Sequence, residues 1–286
     1  MLGRDAIEIH SRSELEAMRA SGRILADAIA SARAEVAPGV STAHIDEVFA
    51  AAIAAAGATS SFLNYGGEPD GTGAFPARIC ASVNDQVVHG IPSYKVVLAE
   101  GDLLSIDAGC ILEGWHADSA ITVHVGQAPS MDEVDLIAAT ETSMWAGIAA
   151  AAAASRVGDI SWAVEMSVRS SERSDGRRYG LVSGYGGHGI GSEMHMAPFI
   201  PNAGRRGKGP RLGPGMCLAI EPMLTLGRPQ VEESEDGWTV VTRDGSRAAH
   251  TEHSVAITDD GICVLTASDG GAAGLAGYGI APIDLG

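Results

Sequence analysis

The chain is short of cysteine, of basic residues and of long apolar runs, and each shortage excludes something. Four cysteines, Cys80, Cys110, Cys217 and Cys263, are scattered over 286 residues with no Cys-x-x-Cys pair. That pattern is no disulfide framework and predicts buried thiols in a reducing compartment. Lys and Arg number 19 against 36 Asp and Glu, a formal net charge of −17. Such a surface repels nucleic acid and membranes on average. The longest apolar run, Ala146 to Ala154, contains Gly147 and is far too short to span a bilayer. The opening stretch has no apolar signal-peptide core, so a cytoplasmic protein is expected. Neither a phosphate-binding loop nor a serine nucleophile elbow is present.

What is there is enough for a large core: 45% of residues are hydrophobic and only 19% charged. Leu103 to Val125 reads as a β-hairpin turning at Glu113-Gly114. Each strand carries an aspartate, Asp107 and Asp118, among small residues on one sheet face. A buried carboxylate is costly unless it is paired or bound to a metal. A solvated face or a salt bridge would explain one such Asp, but two on adjacent strands leave a metal site open.

The remaining elements follow from caps and periodicity. Ser13 with Glu16 predicts a capping box opening a helix that ends at Pro38-Gly39, and a second helix runs from about Thr42 to Ala56. Gly57 to Phe75 reads as a long loop, and Ile79 to His89 as a strand broken at Asn84-Asp85. Ser130 with Glu133 opens a helix of about 25 residues, and another lies near Ile160 to Arg169. Strands are expected near Met216–Met223, around Thr239 and in a last pair from Ala249 to Leu265. Residues 267–286, rich in Ala and Gly without period, predict a loose, disordered tail.

One internal pattern organises these elements. Leu98, Gly101, Leu104, Ile106 and Asp107 recur as Leu212, Gly215, Leu218, Ile220 and Glu221, at a constant offset of 114. Two similar α/β halves facing each other are expected, about 10–126 and 127–266, within one domain of residues 1–266. Their shared cleft would hold Asp107 and Asp118 from one half and Glu221 and Glu252 from the other. Four converging carboxylates repel one another, and divalent cations relieve that repulsion. Oxygen ligands with one imidazole suit Mn, Fe, Co or Zn, and two such ions activate a shared water. His188, between glycines, is the candidate imidazole, and His195 is left over to face a substrate. His10, His44, His116 and His124 read as packed or surface residues.

At this point the residues resemble a family. The stretches Asn84–Pro92, Ser105–Gly109, Gly114–Asp118, Gly184–Gly191, Ala219–Pro222 and Glu252-His253 are similar to those of type I methionine aminopeptidases, over about residues 10–266. The resemblance implies an α+β pita-bread (creatinase/aminopeptidase) fold, its antiparallel sheet cradling a dinuclear metal site. It implies a metal-dependent exopeptidase that removes the initiator methionine from nascent proteins, through attack by water activated between two divalent ions (Co, Mn, Fe, Zn or Ni). Carried over by motif, Asp107, Asp118, His188, Glu221 and Glu252 are the ligands, with Asp118 and Glu252 shared between the ions. Glu221 is the general base, His195 contacts the scissile carbonyl and its oxyanion, and His89 contacts the scissile nitrogen. The methionine pocket falls to Cys80, Tyr65, Phe62, Phe75, Met194 and Trp238. The family prefers small residues after the methionine, and a monomer is expected.

The chain departs from the family pattern in two places. After Tyr65 the usual rim histidine is missing and the loop is longer, which predicts a more mobile entrance. A common Gln near the last ligand is replaced by His250, which adds either a polar contact or a spare ligand. Prolidases and proline-specific aminopeptidases share the cage but carry a large preceding domain, and only 88 residues precede His89 here. Type II enzymes insert a helical domain between the last two glutamates, which here are only 31 apart. A non-catalytic binding protein on this fold is the rival of another class, and retention of all five ligands argues against it. Arg205, Arg206, Lys208 and Arg211 form the one dense basic cluster. It reads as a solvated loop, with ribosome docking as the alternative.

Overall fold

The computed structural model describes residues 7–68, 70–127, 130–171, 173 and 175–286. Residues 1–6, 128, 129, 172 and 174 of the expected domain and Pro69 of the expected long loop lie outside them. The predicted hairpin forms as two ten-residue strands, Leu103–Leu112 and Trp115–His124. Glu113 (φ 52°) and Gly114 (φ 88°) both take the left-handed conformation that a two-residue primed turn requires. Register pairs Asp107 with Ala120 and Gly109 with Asp118, so both aspartates share one face.

The hairpin lies toward one end of a sheet of nine strands among the described residues. Trp115–His124 pairs with Glu252–Thr258, which pairs with Cys217–Ile220, then Gly186–Gly189, then Met196–Pro201. The junction sets Glu252 opposite Ala120. The 114-residue repeat is visible in the backbone at the two ends. Gly101 N–H donates to the Val125 carbonyl and Gly215 N–H to the Ile257 carbonyl, each at 2.8 Å. Val125 N–H donates back to Asp102 and Ile257 N–H to Met216. Duplicated sequence thus gives duplicated corners.

Each half carries its own helical layer. Helices α1 (Arg12–Ala34) and α2 (Thr42–Ala55) bury Leu25, Ile29, Ile45, Phe49 and Ile53 against Ile79, Leu104, Ile106 and Ala108. Helices α3 (Met131–Ala151) and α4 (Val157–Ser170) bury Met144, Ile148, Ile160 and Val164 against Leu218, Ile220, Val255 and Ile257. Two apolar cores therefore lie behind the sheet. The N-terminal capping box sits at Ser11 and Glu14, two residues before the expected pair. The His10 N–H bond to the Gly215 carbonyl anchors the chain just upstream, so the helix starts there. Helix α3 spans 21 residues rather than about 25, and Ser130 Oγ bonds the Glu133 carboxylate instead of a helix amide.

The expected loose tail is packed. Residues Ala272–Ala276 form a short helix, Leu275 and Leu285 are buried, and Ile283 N–H donates to the Ile262 carbonyl. The buried Arg19 guanidinium donates to the carbonyls of Leu265, Ala267 and Ser268. Composition pointed the wrong way because a few well-placed leucines and one buried cation fix a segment whose other residues are small. The long loop also carries more structure than expected. Thr59–Ser60 pairs with Ile111 and Cys110 at the sheet edge, and Phe75 N–H returns to the Tyr65 carbonyl. All four cysteines are free and buried, as their spacing predicts.

Candidate metal centre and substrate cleft

The sheet order does the work of assembly. Five neighbouring strands each bring one ligand-type side chain: Asp107, Asp118, Glu252, Glu221 at the end of Cys217–Ile220, and His188. The glycines around His188 are needed for strand approach. A Cβ on Gly187 would stand 2.1 Å from the Ala219 carbonyl oxygen, and one on Gly189 2.1 Å from that of Ala197. His188 Nδ1 lies 2.9 Å from the Gly189 carbonyl oxygen, which requires a proton on Nδ1. That leaves the Nε2 lone pair facing the carboxylates. Nε2 is 3.7 Å from Glu221 Oε1 and 3.9 Å from Asp118 Oδ2.

Two overlapping clusters result. Ligand atoms of Asp107, Asp118 and Glu252 lie within 4.8 Å of one another, and so do those of His188, Glu221 and Glu252. A third set joins Asp118, His188 and His195. All four carboxylates are buried. Asp107 Oδ1, Asp118 Oδ1 and Glu252 Oε1 have no hydrogen-bond partner, and no Lys or Arg lines the cleft among the described residues. Buried, unpaired carboxylate oxygens this close demand cations. The donor set of oxygens with one imidazole fits two divalent ions.

The electrostatics carry the same message. Burial raises Asp107 to about 7, partly offset by His250, with Glu221 adding to the rise. Burial pushes Asp118 and Glu252 well above the usual carboxylate range, and their acidic neighbours push further. Glu221 differs. Although equally buried, it is held below its ordinary value by His250 and His188.

The cleft in front of the cage has a volume of about 380 Å³. Every residue nominated from sequence lines it: the five cage residues, His89, His195, Tyr65, Phe62, Phe75, Cys80, Met194 and Trp238. Phe62, Phe75, Cys80 and Met194 are buried and form one apolar cluster with Ala77, Ile91 and Trp238. Phe75 meets Trp238 edge to face at 5.2 Å. Trp238 Nε1 donates to the Gly73 carbonyl, pinning the long loop at its far end. His195 Nδ1 bonds the Tyr65 hydroxyl at 2.6 Å, and burial first, then His188, pushes its pKa down to about 3. It is a neutral imidazole. His89 sits at φ 60°, a left-handed strain for a non-glycine residue, between Tyr185 and Trp238.

Sequence reasoning did not nominate Tyr185, Met196, Phe199 and Met223, which also line the cleft. Tyr185 precedes His188 by three positions in the glycine-rich stretch, a signal that was available. Phe199 is 54% exposed on its strand, and no pattern in the sequence marks it. His250 lies behind Glu221, its Nε2 3.4 Å from Glu221 Oε2, and belongs to none of the ligand clusters. Of the two alternatives, this geometry is that of a polar contact with Glu221.

Two facing halves that share one sheet and a cage of four carboxylates and one imidazole define a pita-bread metallohydrolase. Residues 16–259 match the model of metallopeptidase family M24. The chain is 52% identical over 264 residues to methionine aminopeptidase 1 of Mycobacterium tuberculosis, covering 92% of this chain and 96% of that one. It is 43% identical over 260 residues to the methionine aminopeptidase of Clostridium acetobutylicum, covering 91% and 98%. Among solved structures it is similar to methionine aminopeptidase from Rickettsia prowazekii, with a TM-score of 0.84, 35% identity and coverage of 92% and 100%. The chain belongs to the type I methionine aminopeptidases of metallopeptidase family M24.

Proposed function

We propose that this chain cleaves the N-terminal methionine from nascent peptides whose second residue is small, by metal-assisted hydrolysis. The observation that carries the reading is the placement of a buried acidic cage at the floor of an apolar cleft. Asp107, Asp118, His188, Glu221 and Glu252 would hold two divalent ions, with Asp118 and Glu252 shared. When bound, such ions lower the pKa of water and polarise a peptide carbonyl.

The chain's own residues do the rest. Glu221, kept ionised beside His250 and His188, is the carboxylate free to accept the proton of the attacking water. The substrate's free amine would be held at the cage edge beside Asp107, which lies opposite Cys80, and this restricts cleavage to the first residue. His195, its Nδ1 engaged by Tyr65, presents Nε2 as the donor to the scissile carbonyl and the oxyanion. His89 contacts the scissile nitrogen. Phe62, Phe75, Cys80, Met194, Tyr65 and Trp238 receive the methionine side chain, whose thioether suits aromatic and sulfur surfaces.

No helix among the described residues is long and apolar enough to cross a membrane. In this reading the protein works as a cytoplasmic monomer on nascent chains; the Arg205, Arg206, Lys208 and Arg211 loop is a solvated one, with ribosome docking as the alternative. Arg206 is stacked over Trp162 at 4.8 Å, which holds one of the four in place. Neutralising the four and measuring ribosome co-sedimentation tests that setting, and unchanged sedimentation ends it. The activity itself is tested on Met-Ala and Met-Lys peptides. Release of methionine from the first and not the second supports the reading. Cleavage of neither by the metal-loaded chain overturns it.

A further inference from the structure

His250 is 1% exposed, and neither ring nitrogen has a well-aligned hydrogen-bond partner. A buried imidazole is costly unless a polar group faces it, and the Glu221 carboxylate faces Nε2. Its backbone is clamped on both sides. His250 N–H donates to Thr122 Oγ1 at 2.9 Å, Thr122 Oγ1 donates to the His250 carbonyl at 2.7 Å, and Met223 pairs with it across the neighbouring strand. The ring therefore has a fixed origin. From there Nε2 reaches Glu221 Oε2 at 3.4 Å, while the other carboxylate oxygen, Oε1, faces His188 Nε2 at 3.7 Å. The Glu221 backbone is held as well, its carbonyl accepting from Asn202 Nδ2 at 3.1 Å.

The two oxygens of Glu221 are thus divided between two imidazoles. One imidazole, His188, belongs to a ligand cluster with Glu221 and Glu252, and the other belongs to none. An imidazole nitrogen set against a carboxylate oxygen is a donor, so Nε2 of His250 carries the proton. We infer that His250 is a positioning residue: it holds Glu221 Oε2 from behind and so fixes Oε1 as the oxygen presented to the cage. The inference rests on the metal centre and the aminopeptidase reading above. It assigns His250 no contact with substrate.

The test compares two near-isosteric variants of the full chain. His250→Met fills the ring's volume without a donor, and His250→Gln keeps a donor of similar reach. Metal-free protein of each is titrated with cobalt(II), following the visible absorption spectrum, and loaded enzyme is assayed on a Met-Ala peptide. Thermal unfolding of the metal-free forms shows that each is folded. For His250→Met, cobalt affinity falls about 10-fold or more with an altered spectrum, and kcat falls about 10–100-fold while KM holds within about 2-fold. For His250→Gln, spectrum, affinity and kcat return most of the way. A folded His250→Met with wild-type cobalt affinity and spectrum overturns the inference. Failure of Gln to rescue overturns it too, since the imidazole would then be acting as a ligand itself. Should the cobalt changes occur in a protein whose wild type releases no methionine, the positioning role stands and the aminopeptidase reading falls.

Discussion

Asp107 and Glu221 stand at equivalent places in the two halves, 114 residues apart, yet their surroundings drive them in opposite directions. Asp107 rises to about 7 because burial outweighs the opposing pull of His250, with Glu221 adding to the rise. Glu221, as deeply buried, faces two imidazoles and is held low. The first half thus offers a carboxylate that needs a cation to ionise fully, and the second a carboxylate that is charged in advance. Duplication supplied the frame. His250 acts on both carboxylates, and His188 and His195, which act on Glu221 alone, divide the roles.

That contrast can be broken in order of expected effect. Glu221→Gln removes the charged member and should lower kcat about 10²–10⁴-fold, measured by methionine release under saturating metal. Retained turnover would mean the two halves are not divided as described. The two cores behind the cage should fail separately. Phe49→Ala, in the first, should cost about 3–5 kcal/mol in denaturant unfolding, and Ile148→Val, in the second, about 0.5–1.5 kcal/mol. A loss much below these ranges would show that the half-cores pack loosely.

Removing metal sharpens the comparison through pH. The folded pKa of Asp107 lies above its unfolded value, so the folded chain keeps a proton that the unfolded chain releases. Stability of the metal-free protein should therefore fall as pH rises from about 4 to about 7. Asp118 and Glu252 act with the same sign, and Glu221 opposes them. Saturating metal should flatten the slope, and an unchanged thermal midpoint across that window without metal would contradict the assignment. The smallest effect concerns the rim. Trp238→Phe loses the bond to Gly73 and should cost about 1 kcal/mol or less. It should speed hydrogen exchange at Gly67–Gly73, and exchange there slower than in α1 would contradict the mobile entrance expected from sequence.

Much of the site was legible because its chemistry is local in sequence. Asp107 and Asp118 sit on one hairpin whose period-two pattern fixes their shared face. Glu221 was found through the repeat, and His188 through its glycines. The pairing of Trp115–His124 with Glu252–Thr258, which closes the cage, is not written in any local pattern. Nor is the contact between His250 and Glu221, because it depends on the angle at which two separate strand ends meet. The tail was misread because composition reports average character, and Leu275 and Leu285 act by position.

Five neighbouring strands each bring one ligand-type side chain to a site that fits two ions. Cobalt(II) titration of the metal-free chain, with methionine release from a Met-Ala peptide followed in the same samples, tests it most directly. No release is expected without metal, and full release only with ions bound, two per chain at saturation. Release by the rigorously metal-free chain, or active protein saturating with no ion in the cage, would contradict it.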